Sequence, residues 1–197
     1  MHIYIIYAHP AEKSFNREVL NEFSRGLKDA GHTFEIGDLH AMKFQPLLDA
    51  DQYRREVDLD PEVPVPADVK TEQDKIDRAD ALVFIYPVWW SDVPAIMKGW
   101  FDRVFSYGYA YFNDSDEERL TKIHLKEVLV ICSAGHTVEH LEETGIAQAM
   151  RKIMIDDRLG SFGIEDLDME ILGGMMPGDE TYRAENLRKA YVLGKKF

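Results

Sequence analysis

A chain of 197 residues, 45% hydrophobic and 30% charged, has the composition of a soluble globular protein and is long enough to bury a continuous core as a single domain, residues 1–197, without cross-links. Its formal charge of −13 argues against nucleic acid or anionic lipid as a partner, since both need basic clusters. No apolar run approaches the length of a membrane span, and the opening stretch Met1 to Ala8 is too short and lacks the basic flank of a signal peptide. The one cysteine, Cys132, excludes an internal disulfide and fits a reducing, cytoplasmic compartment; next to Val130 and Ile131 it reads as a small buried hydrophobe rather than a nucleophile.

In chain order, residues 2–8 read as a first strand, ended by His9-Pro10. Ser14 is a candidate N-cap for a helix with Val19, Leu20, Phe23 and Leu27 on its apolar face, closed at Ala30-Gly31. Such a start offers free N–H groups together with the Ser14 and Asn16 side chains, and a helix start after strand one can hold phosphate; the alternative is that Ser14 only caps and Asn16 is solvated. Neither G-x-G-x-x-G nor G-x-x-x-x-G-K-[ST] occurs, which argues against a Rossmann dinucleotide site and a triphosphatase. Thr33–Asp38 alternates as an edge strand, and residues 40–66, interrupted by four prolines, form a long excursion with one short helix near 50–57. A helix over 69–79 leads to the uninterrupted apolar run Ala81-Leu-Val-Phe-Ile-Tyr86, the pattern of a strand buried on both faces.

Pro87 ends that strand and releases Val88, Trp89 and Trp90 into a loop before a helix bearing Ile96, Met97, Trp100, Phe101, Val104 and Phe105. Two adjacent indoles at a strand's carboxyl end either meet a flat aromatic ligand or plug the top of the core. The aromatic stretch 106–112 precedes an acidic run, 113–118, which reads as a solvated turn because it lacks the calcium-loop spacing; no metal site is expected. Glu127–Cys132 is the fourth strand, followed by the small residues Ser133, Ala134 and Gly135 and then His136; small residues there let a planar ligand approach the backbone. One long helix with Ile146, Met150, Ile153 and Met154 on a single face, a strand over 167–172 and a closing helix from about Asp179 to Lys196 complete the chain. This alternation specifies a doubly wound α/β fold with a five-stranded parallel sheet of order 2-1-3-4-5 and helices on both faces, with ligands at the strands' carboxyl ends beside the point where the order reverses.

The pieces Tyr7-Ala-His-Pro10 with Ser14-Phe-Asn16, Glu72-Gln73, Pro87-Val-Trp-Trp-Ser-Asp-Val-Pro-Ala95, Lys98-Gly-Trp-Phe-Asp-Arg-Val-Phe105 and Tyr109-Ala-Tyr111 occur in the order found in the flavodoxin-like NAD(P)H:quinone oxidoreductases, and the chain resembles that family as far as about Gly145. The resemblance implies a bound flavin, FAD or in some members FMN, with NAD(P)H as electron donor and a quinone-like acceptor, in a homodimer. It places the phosphates at His9, Ser14, Phe15 and Asn16, the isoalloxazine at Pro87, Val88, Trp89 and Trp90, and the substrate pocket at Tyr109, Tyr111 and Trp90. Where relatives often carry Thr-Thr-Gly-Gly this chain has Ser133-Ala134-Gly135-His136, and Leu141 and Ala147 occupy the positions of the Tyr and His that assist charge on the reduced flavin in mammalian quinone reductase. Backbone N–H groups near Gly135, with His136 or His140, are the candidates for that task here. A flavin-binding ancillary or regulatory subunit, docking through the 40–66 excursion, and a flavodoxin-type electron carrier are the alternatives.

Overall fold

The structure, a computed structural model, describes residues 1–60, 62–113, 119–176 and 180–197. Five strands, β1 (His2–Tyr7), β2 (Thr33–Asp38), β3 (Ala81–Pro87), β6 (Glu127–Ser133) and β7 (Asp166–Leu172), form one sheet in the spatial order β2-β1-β3-β6-β7. Every pairing in it is parallel, so all five strands end at one edge. All seven residues of β3 are buried, which is why its sequence shows no polar alternation. A two-residue antiparallel pair, β4 (Phe112–Asn113) with β5 (Arg119–Leu120), lies outside that sheet.

Successive strand residues feed opposite faces of the sheet. Ile3, Ile5, Tyr7, Val83, Ile85 and Ile131 pack with α1 (Phe15–Asp29) and α7 (Glu180–Lys196). Tyr4, Ile6, Phe84, Tyr86, Val130 and Cys132 share the other core with residues of α3 (Ala67–Arg78) and α4 (Ala95–Val104). The fully buried carboxylate of Glu72 in α3 ties that layer together, accepting from the Tyr4 hydroxyl, from Trp100 Nε1 at 2.8 Å and from Lys75 Nζ at 2.8 Å. The 40–66 excursion carries α2 (Ala50–Asp58), begun by an Asp49 cap that accepts the Asp51 and Gln52 N–H groups.

The single long helix expected after β6 is broken. α5 (Val138–Glu143) and α6 (Ile146–Arg151) are separated by Thr144 and Gly145, the latter at φ 76°, and Lys152–Leu159 winds as a π-helix before the 3-10 turn Gly160–Phe162. The wider winding changes the period, so the buried residues run Met150, Met154, Leu159, while Ile153 is turned outward and 47% exposed. Of the acidic turn expected at 113–118, Asn113 belongs to β4 and residues 114–118 lie outside the described residues, as does the expected start of the closing helix at Asp179. Among the described residues no helix is long and apolar enough to cross a membrane.

Candidate functional site

The carboxyl ends of β1, β3 and β6 are joined into one platform by short bonds. The Ala8 N–H donates to the Ile85 carbonyl at 3.1 Å, and the Val88 N–H donates to the Ser133 carbonyl at 2.8 Å. The Ser133 hydroxyl accepts from Asn16 Nδ2 at 2.8 Å, tying the start of α1 to the end of β6. Asn16 is 4% exposed, so it is neither solvated nor free to offer that amide to a phosphate; it sets the spacing between two loops instead. Ser14 caps α1 as expected, its hydroxyl accepting the Arg17 N–H at 3.2 Å. The N–H groups of Phe15 and Asn16 meet no acceptor among the described residues, which leaves donors for an anion at this helix start. Phe15 is half-buried, with the Arg183 guanidinium 5.4 Å from its ring centre.

His9 stands on the same edge. Its Nδ1 meets both the N–H of Ala11, at 3.0 Å, and the Ala11 carbonyl, at 3.2 Å, which holds the ring against its own loop, and partial burial lowers its pKa below the usual histidine value. A small recess of about 170 Å³ lies between His9, Arg17, Asp38 and His40. The Arg17–Asp38 ion pair in it, 2.5 Å long with the guanidinium 4.4 Å from the Tyr7 ring centre, is part of this mouth that patterns in the sequence did not disclose.

The loop after Pro87 is a tight hairpin. Trp89 and Asp92 exchange both backbone bonds, at 3.0 and 3.2 Å, around Trp90 at φ 51° and Ser91 at φ 64°. Two positive φ angles in succession are the signature of a type I′ turn, which favours Asn and Gly; a tryptophan and a serine there are held against a preference of roughly 1–2 kcal/mol each. Trp89 is 45% exposed and Trp90 fully exposed, so neither plugs the core. Backbone strain of this kind gathers where a surface is shaped to meet something.

Past β6, the Ala134 N–H is taken by the Leu172 carbonyl at 3.0 Å, and the His136 carbonyl accepts from Gly174 at 2.8 Å. The N–H groups of Gly135 and His136 meet no acceptor among the described residues, as a backbone anion-stabilising site requires. His136 and His140 are exposed and lie face to face, their ring centres 4.6 Å apart and planes 34° off parallel. Beneath this loop Cys132 is wholly buried, its thiol pushed up to about 12 by burial, and serves as core.

Tyr109 and Tyr111 are not at this edge. The Tyr109 hydroxyl donates to Asp77 at 2.8 Å and to the Gln73 carbonyl at 3.2 Å, and burial followed by the Asp77 contact raises its pKa. The Tyr111 hydroxyl lies 3.4 Å from Glu56. Asp77 belongs to the end of α3 that meets the amino edge of the sheet, where Asp80 accepts the His2 N–H at 2.8 Å. Tyr109 there lines a cavity of about 450 Å³ with Val63, Pro64, Lys70 and Lys122. One chain therefore assembles the His9, Asn16, Ser133 and Trp89 edge, and holds the two tyrosines apart from it.

The family described by its flavodoxin-like fold matches residues 1–192. A solved NAD(P)H:quinone oxidoreductase from Methanothermobacter marburgensis superimposes with a TM-score of 0.95 at 54% identity, covering 99% of this chain and 98% of that one. An uncharacterized NAD(P)H oxidoreductase of Haemophilus influenzae is 29% identical over 180 residues, 91% of this chain and 87% of its own. The human ribosyldihydronicotinamide dehydrogenase [quinone] is 32% identical over 162 residues, 73% of this chain and 68% of its own.

Proposed function

Because the chain belongs to the flavodoxin-like NAD(P)H:quinone oxidoreductase family and is an enzyme of the NAD(P)H dehydrogenase (quinone) kind, we propose that it binds a flavin at the β1, β3 and β6 ends and reduces a quinone-like acceptor in two half-reactions. The observation that carries this is the coincidence, on one edge, of unengaged N–H donors at Phe15, Asn16, Gly135 and His136 with two outward-facing indoles. Bound there, flavin would supply the redox chemistry, taking hydride from NAD(P)H and passing it on. FAD is the cofactor proposed, with FMN as the alternative.

The start of α1 and His9 would hold phosphate, the one through backbone donors and the other through its imidazole. Pro87, Val88 and Trp89 would border the ring system, with Trp90 offering an apolar face to donor or acceptor. Ala134 and Ser133, small and buried, keep the floor low, and the Gly135 and His136 N–H groups would stabilise negative charge at the ring's edge. His136 and His140 are solvent-exposed, which suits proton exchange with water more than a buried relay. A homodimer is part of the proposal, with half-buried Tyr111 as the tyrosine able to reach a partner's pocket, since Tyr109 is buried against Asp77 of its own chain. Fully exposed Trp90, with Leu47 and Tyr53 at 72% and 58% exposure, supports the same arrangement. A single domain acting in the cytoplasm completes the proposal.

Two measurements test it. Heat-released cofactor identified by chromatography is expected to be FAD or FMN at one per chain, and NADPH with menadione is expected to turn over at about 1–1000 per second. A colourless protein that no flavin reconstitutes would refute the proposal, and flavin with turnover far below that range would favour an ancillary, regulatory role.

A further inference from the structure

The hairpin is held by a residue from far along the chain. Arg158, in the π-helical segment, lies with Nη1 3.5 Å from Asp92 Oδ1, where Asp92 closes the turn, and its side chain is only 12% exposed. Its guanidinium sits 4.8 Å from the ring centre of Phe101, on the helix the hairpin feeds, and Nη1 lies 3.3 Å from Met154 Sδ. The same Asp92 oxygen accepts the Val93 N–H at 2.7 Å, so one carboxylate is gripped from the turn and from Arg158. The π winding makes this reach compatible with the core: with Met154 and Leu159 both buried five residues apart, Arg158 rises beside Met154 and emerges at the strand ends. An ordinary α-helical period would place the core position at 157 or 158 and lose either the buried leucine or the arginine's reach.

We propose that Arg158 is a positioning residue for the paired indoles, fixing the Trp89–Asp92 turn in its left-handed geometry so that the indoles meet donor or acceptor in one orientation. The proposal rests on the reading of this edge as the flavin site. It deepens that reading by naming what keeps a strained, exposed turn in place, a salt contact supplied by a widened helix.

The test compares holoenzyme with Arg158→Met, which keeps the apolar stem, and Arg158→Lys, which keeps the charge. Amide exchange at Trp89 and Asp92 is expected to rise about tenfold in Arg158→Met with β3 and α4 unchanged. The KM for a quinone acceptor is expected to rise about five- to tenfold with kcat within about twofold, and Arg158→Lys to recover much of both changes. Unchanged exchange at the turn would overturn the proposal, as would a rise spread evenly over α4 and the π-helical segment, which would make the arginine a general brace. Should Arg158→Met fail to fold, Asp92→Asn removes the same contact from its more exposed partner, and its exchange pattern decides in the same way. A wild-type protein without flavin would refute the cofactor reading alone, since exchange at the hairpin still reports whether Arg158 holds it.

Discussion

Ser133 spends both of its oxygens on neighbours, the carbonyl on the Val88 N–H and the hydroxyl on Asn16, while being 8% exposed. Replacing it with Ala strands the buried Asn16 amide, so Ser133→Ala is expected to lower unfolding free energy by about 1–3 kcal/mol, read as a lower urea midpoint at unchanged slope. An unchanged midpoint would mean that Asn16 finds another acceptor. Trp90 and Ser91 predict the opposite sign. Trp90→Asn with Ser91→Gly installs the residues a type I′ turn favours, and is expected to stabilise the protein by about 1–3 kcal/mol in the same assay, the two conformational preferences less roughly 0.5–1 kcal/mol of glycine chain entropy, while acceptor KM rises because the exposed indole is gone. At this scale the sequence disclosed which residue types gather at the strand ends, since strands announce themselves by apolar runs and stop at Pro or small residues. It did not disclose that Asn16 faces Ser133, 117 positions away, because that contact depends on the spatial order of strands and on which way α1 rolls. Arg17–Asp38 and Arg158–Asp92 were hidden for the same reason, each residue looking like ordinary surface charge.

Between elements, the α1–α7 contact depends on two glycines. A Cβ on Gly26 would meet the Tyr191 carbonyl oxygen at 2.3 Å, and one on Gly194 would meet the Phe23 carbonyl oxygen at 2.2 Å, so the two helix backbones touch where both lack side chains. Gly194→Ala is expected to force the helices apart and lower stability by roughly 1–3 kcal/mol despite Ala's better helix propensity, whereas a change within a few tenths would show that α7 can slide aside at little expense. Such a contact is invisible to periodicity, which reports a helix's apolar face and not how near another backbone lies. The buried strands are legible as uninterrupted apolar runs, and β2 and α1 by regular periods of 2 and 3.6. The stretch after β6 reads as one long helix in the sequence, but Gly145 interrupts it between α5 and α6, and the π winding moves the next buried residue from the third or fourth position to the fifth. Its irregularity is what delivers Arg158, so the place where the regular pattern fails is the place where the element serves the site.

Across the whole molecule, three perturbed carboxylates, Glu127, Asp68 and Asp80, shape the pH dependence of stability. Glu127 opens β6 directly opposite Asp166 on β7, and desolvation, with the Asp166 charge second, raises its carboxyl from 4.5 to about 7. A folded-state value above the unfolded one means that folding binds a proton between these limits, so Glu127 contributes most below about pH 4.5 and that contribution is lost as pH rises through about 7. Asp68, held low by its bond to Arg103, and Asp80, held low by Lys126, act in the other direction, their contributions being present above the ordinary carboxylate range and lost as pH falls below it. Stability is therefore expected to be greatest near pH 5 and to fall toward pH 8, a decline that the acidic surface, with its formal charge of −13, reinforces as carboxylates ionise. Glu127→Gln should flatten the slope between about pH 5 and 7.5, where the screened, partly solvated pair is worth on the order of 1 kcal/mol. It should leave acceptor reduction unchanged, because Glu127 lies at the opposite end of the sheet from Ser133 on the same strand. Thermal midpoints of both proteins across that range check it: parallel profiles would show that Glu127 ionises freely and that the slope comes from the surface charge as a whole.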